Sequence, residues 1–438
     1  MKIIPAILLT LTLVGIGIIL HKFLPAYILV IYIILILLLE IGSYFLIRYL
    51  QKDFQWLITP KDENPILSKE GLQKFFSFGF DPELGWVRKP NTAKDEYGPY
   101  NPTTKKHEKV MFHIDSRGAR NNPGHEKLPI AISCYGDSFT IARQVEDNQT
   151  WAWHVSELTK SNVFNFGVGN YGLDQALLRL KREYPKNKTK IVIMGIVPST
   201  IVRILDVWKH YNEYGNTFGF KPRFDIKCGK LELVPNIINT EEKYYNYQQY
   251  LPEIQEKDYF YTRKFKQDLL QFPYLISILS NHTRTIPLLW LVFWHQKVYK
   301  EDIKDMPYPT AMKIIMKENL KLRYKLYTND TYATALFVKL AEEFKHFADE
   351  QGFTPVFVLM PQKDDILMVK RKGHYYQPVL NQVRQCMEVI DLTDMLLARP
   401  DLDTLYSDPN KYGGHYSARG NEVVGETIYR ELQSKKIV

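Results

Sequence analysis

The stretch Ile130–Thr140, IAISCYGDSFT, determines how the rest of the chain is interpreted. An apolar run with β-branched members ends at Gly136-Asp137-Ser138, and the residues from there to Leu158 have the spacing of a helix packed on a sheet. This pattern predicts that Ser138 lies where a strand turns into a helix. Backbone N–H groups at a helix start favour negative charge, so the position suits a nucleophile. Gly-Asp-Ser is also an ordinary turn and cap tripeptide, which leaves a structural role open.

Strands and amphipathic helices alternate along much of the remaining chain. The predicted strands after Ile130–Gly136 are Asn162–Phe166, Lys190–Gly195, Thr354–Pro361 and Val389–Asp394. Such alternation predicts an α/β fold with a mainly parallel sheet and helices on both faces. Ligands of these sheets collect at the carboxyl ends of the strands. Residues 201–330 depart from the rhythm and are predicted to form an inserted subdomain.

Three later stretches carry the groups that a serine nucleophile needs. Asn165–Gly172 (NFGVGNYG) and Ile191–Pro198 (IVIMGIVP) follow at strand ends, and Gly413–Gly420 (GGHYSARG) contains His415. A serine is a weak nucleophile without a base within hydrogen-bond reach and donors for the oxyanion. His415 is the candidate base, although a late histidine in a loop is also commonly structural. Together with Gly-Asp-Ser, these stretches resemble the SGNH (GDSL-type) esterase and acyltransferase superfamily, in its membrane-anchored bacterial branch.

The resemblance implies an SGNH-like, flavodoxin-like fold and an enzyme that acts on ester bonds, either an esterase or an O-acyltransferase. Ser138 would attack an acyl ester, such as an O-acetyl ester, of a glycan or lipid, and His415 would accept the proton. The N–H groups of Ser138, Asn170 and Gly169 would hold the oxyanion, with Gly195 as a further candidate. Asn170 stands where relatives commonly have glycine, and asparagine tolerates left-handed backbone geometry. No cofactor and no metal are implied.

Two departures from the family pattern leave an alternative open. Relatives place an acid two or three residues before the histidine, where this chain has Tyr412 and Gly413. The nearest upstream acid is Asp408, which either orients His415 or only starts a turn; without it, the chain has a Ser-His dyad. Relatives often read Gly-x-Asn-Asp in the third block, whereas Gly195 is followed by Ile-Val-Pro. The alternative is a catalytically degenerate scaffold that binds a glycan or lipid.

Residues 1–50 contain two apolar runs. Ile3–Leu20 has no charge, and Tyr27–Leu50 is interrupted only by Glu40. Each is close to the ~20 residues that span a bilayer as a helix, so we predict a two-pass transmembrane hairpin, in a bacterial inner membrane. The side of the catalytic domain stays open, because the positive-inside count favours the cytoplasm and the resemblance favours the envelope. Glu40 either marks a functional or partner contact or faces the first helix.

Between the hairpin and the hydrolase domain (129–438), residues 51–128 are predicted to be a linker of loops and short strands. Arg120 in this extension either orients an anionic substrate group or forms a structural salt bridge. In the insertion, Leu288–Lys297 (LLWLVFWHQK) is too short to span a membrane. It is predicted to be a core helix, with a membrane-surface helix or a cap over a substrate cleft as alternatives.

Charge and cysteine content exclude some classes of protein. The net charge of +9 comes from 57 basic and 48 acidic residues that are spread along the chain without a nucleic-acid motif, so we expect no nucleic-acid partner. The 3 cysteines lack the pairing of a disulfide framework and the spacing of zinc ligands. The expected partners are an acyl-ester substrate, carbohydrate or lipid, and the membrane; protein partners stay open.

Overall fold

The computed structural model describes residues 26–51, 59–101, 103–104, 106–298, 310–408 and 413–438, together with Gly15. The strands, in chain order, are β1 (Phe80–Asp81), β2 (Gly85–Trp86), β3 (Thr92–Asn101), β4 (Lys106–Ile114), β5 (Ile130–Gly136), β6 (Asn162–Asn165), β7 (Ile191–Ile196), β8 (Arg223–Lys227), β9 (Lys230–Val234), β10 (Thr354–Leu359) and β11 (Glu388–Asp391).

The α-helices, in chain order, are α1 (Ala26–Leu50), α2 (Lys69–Phe78), α3 (Trp151–Thr159), α4 (Leu173–Glu183), α5 (Thr200–Arg203), α6 (Glu241–Tyr245), α7 (Leu251–Lys257), α8 (Lys266–Asp268), α9 (Tyr274–Ser280), α10 (His282–Phe293), α11 (Thr310–Asn329), α12 (Thr331–Gln351), α13 (Lys363–Lys372), α14 (Gln377–Val383), α15 (Thr393–Leu397) and α16 (Ala418–Ser434).

The chain divides into two compact units. The smaller unit comprises Met1–Pro65, Tyr211–Gly215 and Phe260–Ile315, and the larger unit comprises Ile66–His210, Asn216–Tyr259 and Met316–Val438. The region predicted as an insertion, 201–330, is therefore divided between the two. The predicted extension, from Ile66 onwards, belongs to the larger unit.

A five-stranded sheet with the order β11-β10-β7-β5-β6 forms the centre of the larger unit. Every neighbouring pair is parallel. Numbered within the sheet alone, this order is 2-1-3-4-5, the flavodoxin-like arrangement, in which β5 lies between the strands that follow it in sequence. The prediction of a parallel α/β sheet is confirmed, and its five strands are those predicted. The switch in strand order places the carboxyl end of β5 where such folds bind ligands.

Helices cover both faces of this sheet. On one face Cys134 belongs to a buried apolar cluster with Trp151 of α3 and Val424 of α16. The alternate residues of β5, Ser133 and Tyr135, are also fully buried, while α4 contacts β5 and α12 contacts β10. A strand buried on both faces reads as a nearly continuous apolar run, which is why β5 was visible in the sequence.

The extension is more ordered than the predicted loops and short strands. Helix α2 is followed by a long antiparallel hairpin in which β3 pairs with β4 from Thr92↔Ile114 to Asn101↔Lys106. Val110, Phe112 and Ile114 are buried on one face of β4. The predicted short strands are present as β1 and β2, but the long hairpin was not predicted because β3, TAKDEYGPYN, is too polar to be distinguished from a loop by composition.

Helix α1 is the predicted second span. Its residues Tyr27–Leu50, with a mean hydropathy of 2.5, are long and apolar enough to cross a membrane. This finding rests on length and composition. The predicted first span, Ile3–Leu20, lies outside the described residues except for Gly15, so the described chain contains one such helix and no transmembrane hairpin is seen in it.

Glu40 caps another helix within the smaller unit. Its two carboxylate oxygens accept the backbone N–H groups of Tyr274 (2.5 Å) and Leu275 (2.8 Å), at the start of α9. The first N–H groups of a helix lack intrahelical partners, and a carboxylate beside them is stabilising. The rings of Tyr44 and Tyr274 also meet, at 5.2 Å between centroids. The charge in the apolar run is thus explained by a contact inside the chain.

The apolar segment Leu288–Lys297 forms the end of α10 and most of the short π-helix that follows it, Trp294–Val298. Leu288 is buried, whereas Trp290 and Phe293 are 62% and 48% exposed. The expectation of an ordinary core helix is therefore met on one side of the helix only. The other side presents large apolar side chains to the surroundings.

Candidate active site

Two glycines bring the ends of β5 and β7 unusually close beneath Ser138. Gly136 pairs with Gly195 across the two strands and has a φ of 154°. A Cβ atom on Gly136 would lie 1.8 Å from the carbonyl oxygen of Gly195, so no other residue fits. That carbonyl accepts a hydrogen bond of 2.5 Å from the hydroxyl of Thr140. Gly195 thus packs under the turn, and its role as an oxyanion or substrate group stays a prediction.

Asp137 fixes the turn that carries Ser138. One carboxylate oxygen accepts the N–H of Phe139 at 2.8 Å, and the other accepts the N–H of Val197 at 3.0 Å and lies 3.3 Å from the Arg203 guanidinium. Burial raises the pKa of Asp137, against the opposing effects of Arg203 and of these backbone N–H groups. The acid next to Ser138 is therefore engaged in holding two strand ends together.

The predicted helix directly after Ser138 is wrong. A single turn forms, with the N–H of Ile141 bonded to the carbonyl of Asp137 at 3.0 Å, and the chain then leaves helical geometry. Ala142 and Gln144 have φ values of 55° and 76°, in the left-handed region that non-glycine residues rarely adopt. Helix α3 begins only after this loop, so Ser138 does not lie at its N-terminus.

Arg120 holds this loop in its left-handed conformation. The fully buried guanidinium donates to the carbonyl oxygens of Ile141 (2.6 Å), Ala142 (2.7 Å) and Val145 (2.6 Å), and to the carboxylate of Asp147 (3.1 Å). A continuous helix would need these carbonyls for its own backbone. Burial lowers the pKa of Arg120 to about 10, despite the attraction of Asp147. Of the two roles considered for Arg120, an anionic-substrate contact and a structural salt bridge, these contacts support the structural one.

Ser138 and His415, which are 277 positions apart in the chain, lie in hydrogen-bond contact. The distance from Nε2 of His415 to Oγ of Ser138 is 2.9 Å. Ser138 is buried, and the ring of Phe139 lies 4.9 Å from the imidazole, centroid to centroid. The two residues have the separation that a general base and its nucleophile require.

The other nitrogen of His415 faces an amide that sequence reasoning missed. Nδ1 lies 2.7 Å from Oε1 of Gln144, and the same oxygen accepts from the His415 backbone N–H (3.0 Å) and the Ser407 hydroxyl (2.9 Å). A backbone N–H can only donate, so the Gln144 atom that faces it is the oxygen. Nδ1 must then carry the proton, and Nε2, which faces Ser138, is the unprotonated nitrogen. With the amide assigned in this orientation, Gln144 orients the His415 ring and selects this tautomer.

Asp408 is not the residue that contacts the His415 ring. Its buried carboxylate lies 3.2 Å from Nε2 of His107, on the β3–β4 hairpin, and its N–H donates to the carbonyl of Gly413 at 2.9 Å. Both ring nitrogens of His415 already have other partners, Ser138 and Gln144. Asp408 was expected to be the acid of a triad. In the structure it instead links its own loop to the β3–β4 hairpin of the extension.

His415 is held in its neutral form. Burial is the largest effect and, together with the positive charge of Arg143, it lowers the pKa of the imidazole to about 3, while Glu96 acts in the opposite direction. A neutral imidazole can accept the proton of a serine hydroxyl. The imidazolium that results would have an amide beside it, where a Ser-His-Asp triad has a carboxylate.

The loop after β6 carries the predicted oxyanion donors. Asn170 has a φ of 67°, the left-handed conformation that asparagine was expected to tolerate. The carbonyl of the preceding Gly169 accepts the indole N–H of Trp86 at 3.0 Å, and the Tyr171 hydroxyl donates to the carbonyl of Trp86 at 2.5 Å. The extension therefore holds this loop from both sides. The role of Asn170 and Gly169 as oxyanion donors stays a prediction.

A cavity of about 510 Å³ in the larger unit opens against this loop. Its walls include Gly169, Asn170 and Arg143, and the extension supplies Trp86, Arg88 and Glu96. Nothing in the sequence pattern indicated this cavity, because the extension was predicted to be a linker. In the part of the chain that the structure describes, no group of three or more His, Cys, Asp or Glu side chains is arranged to hold a metal ion.

Comparison with known proteins gives similarity to solved structures alone. No family model and no curated protein matches the chain. It is similar to a lipolytic protein of the G-D-S-L family from Desulfitobacterium hafniense (10% identity, 68% of this chain and 98% of that one, TM-score 0.29). It is also similar to a lipase/acylhydrolase from Enterococcus faecalis (12%, 70% and 96%, TM-score 0.33) and to an acetyl xylan esterase (11%, 69% and 100%, TM-score 0.33).

Proposed function

We propose that this chain is a membrane-anchored serine esterase or O-acyltransferase of the SGNH type, with Ser138 as nucleophile and His415 as base. The observation that carries the proposal is the 2.9 Å contact between Oγ of Ser138 and Nε2 of His415. It is supported by Gln144, which leaves Nε2 as the unprotonated nitrogen. The substrate is an acyl ester, such as an O-acetyl ester, of a glycan or lipid.

The reaction follows from these groups in two stages. Oγ of Ser138 attacks the ester carbonyl carbon while its proton passes to Nε2 of His415, and the ester C–O bond breaks as the alcohol leaves with that proton. Water then attacks the acyl-enzyme through His415 and releases the acid and Ser138. In a transferase a sugar hydroxyl takes the place of water. The N–H groups of Ser138, Asn170 and Gly169 stabilise the oxyanion.

The missing side-chain donor sets an expectation for rate. One oxyanion donor typically contributes about 2.7–4 kcal/mol to transition-state stabilisation. Because Gly195 packs under the turn and Val197 donates its N–H to Asp137, the third block offers no replacement among these contacts. We therefore expect a slow or narrowly specific enzyme.

A fluorophosphonate probe, which forms a covalent bond with activated serines, tests the proposal on the full chain in detergent. Wild type should be labelled, and Ser138→Ala should not. Ser77→Ala is the matched control, because Ser77 is exposed on α2, and it should label like wild type. Labelling that survives in Ser138→Ala would assign the nucleophile elsewhere.

The competing function is a scaffold that binds a glycan or lipid without turnover. It is favoured by the absence of a carboxylate on either ring nitrogen of His415, each of which has another partner. A properly folded wild type that the probe does not label, and that hydrolyses no aryl acetate, would select this alternative.

Membrane anchoring is part of the same proposal. It is supported by α1 and by the exposed apolar side of α10, and the run Ile3–Leu20 would make the anchor two-pass. The full chain should stay in the membrane fraction through a carbonate wash, with its N-terminal residues intact by mass spectrometry. Recovery in the soluble fraction, or loss of the N-terminal residues as a cleaved leader, would contradict it.

A further inference from the structure

The cavity beside the Ser138 loop has an unusual lining of cations and aromatic rings. Five of its lining residues are cationic, including Arg88, Lys94 and Arg143, and one, Glu96, is acidic. Five others are aromatic, among them Trp86. A volume of about 510 Å³ lies within the range of small-molecule sites, which combine apolar walls with a few polar groups.

The single carboxylate of the lining is shared by two cations. Arg143 binds Glu96 through Nε (2.6 Å) and Nη2 (2.9 Å), and Nζ of Lys94 lies 2.6 Å from the same side chain. Burial opposes the charge of Glu96, but Arg143 and Lys94 outweigh it and lower its pKa to about 2. Glu96 is therefore ionised, and both of its carboxylate oxygens are bound by Arg143 or Lys94.

Arg88 is left without a carboxylate of its own. It forms no hydrogen bond or ion pair with any residue in the described ranges, although it is half-buried in the cavity wall. Burial, and then repulsion from Arg143, lower its pKa. A half-buried guanidinium without a carboxylate partner keeps its N–H donors available to bind an anion.

We propose that the cavity binds an anionic group of the substrate, a carboxylate or a phosphate on an acylated sugar, through Arg88 with Lys94 and Arg143. The aromatic walls would contact the apolar face of the sugar ring or the acyl chain. This inference deepens the proposed function and rests on it, because it concerns the substrate of the same site.

One hydrogen bond and the charges of the cavity wall relate the cavity to the region of Ser138 and His415. The indole of Trp86, in the cavity wall, donates to the carbonyl of Gly169 in the loop of the predicted oxyanion donors. The charges of Arg143, Glu96 and Lys94 all act on the His415 ring. An anion bound to these cations would offset their charge and raise the pKa of His415 towards its ordinary value.

The test compares three substrates acetylated at the same hydroxyl: methyl glucuronide, methyl glucoside and glucose 6-phosphate. With the full chain in detergent at low salt, kcat/KM should be at least about tenfold higher for one or both anionic esters than for the neutral one, which is what one charge-assisted hydrogen bond supplies. The preference should fall with added KCl. The uronide and phosphate arms distinguish a carboxylate from a phosphate ligand.

Three variants decide whether Arg88 is responsible. Arg88→Gln should remove most of the ratio between anionic and neutral substrates, and Arg88→Lys should retain part of it. Lys127→Gln, an exposed cation outside the cavity, should behave like wild type. Equal kcat/KM for charged and neutral esters in wild type, or an equal loss for both in Arg88→Gln, would overturn the inference.

A binding measurement separates this inference from the proposed function. The Ser138→Ala chain, which cannot form an acyl-enzyme, is titrated with the same three compounds by calorimetry. Tighter binding of an anionic ester that Arg88→Gln abolishes would support the anion site even if wild type hydrolyses nothing. Equal affinities for all three compounds would refute it even if Ser138 is labelled by fluorophosphonate.

Discussion

Two loops of the larger unit approach His415, and each carries a polar side chain suited to orient it. The loop after Ser138 contributes Gln144, whose amide oxygen lies 2.7 Å from Nδ1. The loop before His415 contributes Asp408, seven positions upstream, whose carboxylate pairs with His107 instead. The residue that is nearer in sequence and chemically better suited is the one that does not contact the ring.

The difference lies in what holds each loop. Arg120 takes three carbonyl oxygens and a carboxylate of the Ser138 loop, and so stabilises the left-handed turn at Gln144. Asp408 is drawn to the β3–β4 hairpin by His107. Gln144 can accept a hydrogen bond from Nδ1–H of His415 but offers no negative charge to an imidazolium. In this site Gln144 orients the His415 ring but does not stabilise a charge on it. In a Ser-His-Asp triad one carboxylate has both roles.

The largest effect should come from removing His415, the proposed base, which both loops approach. His415→Ala is expected to lower kcat/KM for p-nitrophenyl acetate by at least 10³-fold, since a Ser-His unit loses several orders of magnitude when either member is removed. His346→Ala, an exposed histidine on α12, is the control. Retention of more than about a tenth of wild-type activity would remove His415 from the mechanism.

Gln144→Met should have the next largest effect. Methionine keeps the length of the side chain but is a poor acceptor for a hydrogen bond from Nδ1–H of His415. Neither the tautomer nor the orientation of the His415 ring is then fixed. We expect kcat to fall by about 10²-fold with KM nearly unchanged, less than the ~10⁴ seen when a charged triad acid becomes an amide. An unchanged kcat would mean that Gln144 only packs against the ring.

Gln144→Glu should restore the charge to the orienting position. In wild type the pKa of His415 is about 3, so kcat/KM should be level above pH 4 and fall only as the imidazole is protonated below that. A carboxylate at 144 favours the imidazolium and raises this pKa, so the acid limb of the profile should move upward by at least about one pH unit. An unmoved acid limb would show that residue 144 does not act on the base.

The smallest change in activity is expected for Asp408→Asn. Asparagine keeps the size of the buried side chain, but it removes the carboxylate charge that lies 3.2 Å from Nε2 of His107. We expect the free energy of unfolding to fall by about 1–3 kcal/mol, measured by thermal or denaturant unfolding, while kcat/KM stays within about threefold of wild type. A loss near 10⁴-fold in kcat would return Asp408 to the triad.

The parts of the fold that were predictable are those in which local pattern and tertiary role agree. The five sheet strands are short apolar runs, and β5 ends at a glycine that tertiary packing requires, Gly136. Ser138 and His415 could be named because their local sequences resemble a family. In contrast, β3 contains three consecutive charged residues, Lys94, Asp95 and Glu96, and its strand geometry depends on pairing with β4.

Gln144 and Asp408 illustrate what the sequence could not reveal. Nothing in ARQVED predicts a left-handed glutamine, because that conformation depends on Arg120, which is 24 positions upstream. The partner of Asp408 is about 300 positions away in a segment that resembled a linker. Both outcomes depend on side-chain contacts between distant parts of the chain, which periodicity and composition do not encode.

The cap that Glu40 forms on α9 has a consequence for truncated forms of the protein. A truncation after Leu50, the obvious way to obtain a soluble form, would remove the acceptor of two helix N–H groups. It would also strip Ile47 and Leu50 from the cluster that buries Leu270 and Ile278. Helix α1 is therefore part of the packed core of its unit, and a protein shortened at Leu50 would expose the apolar surface that α1 covers.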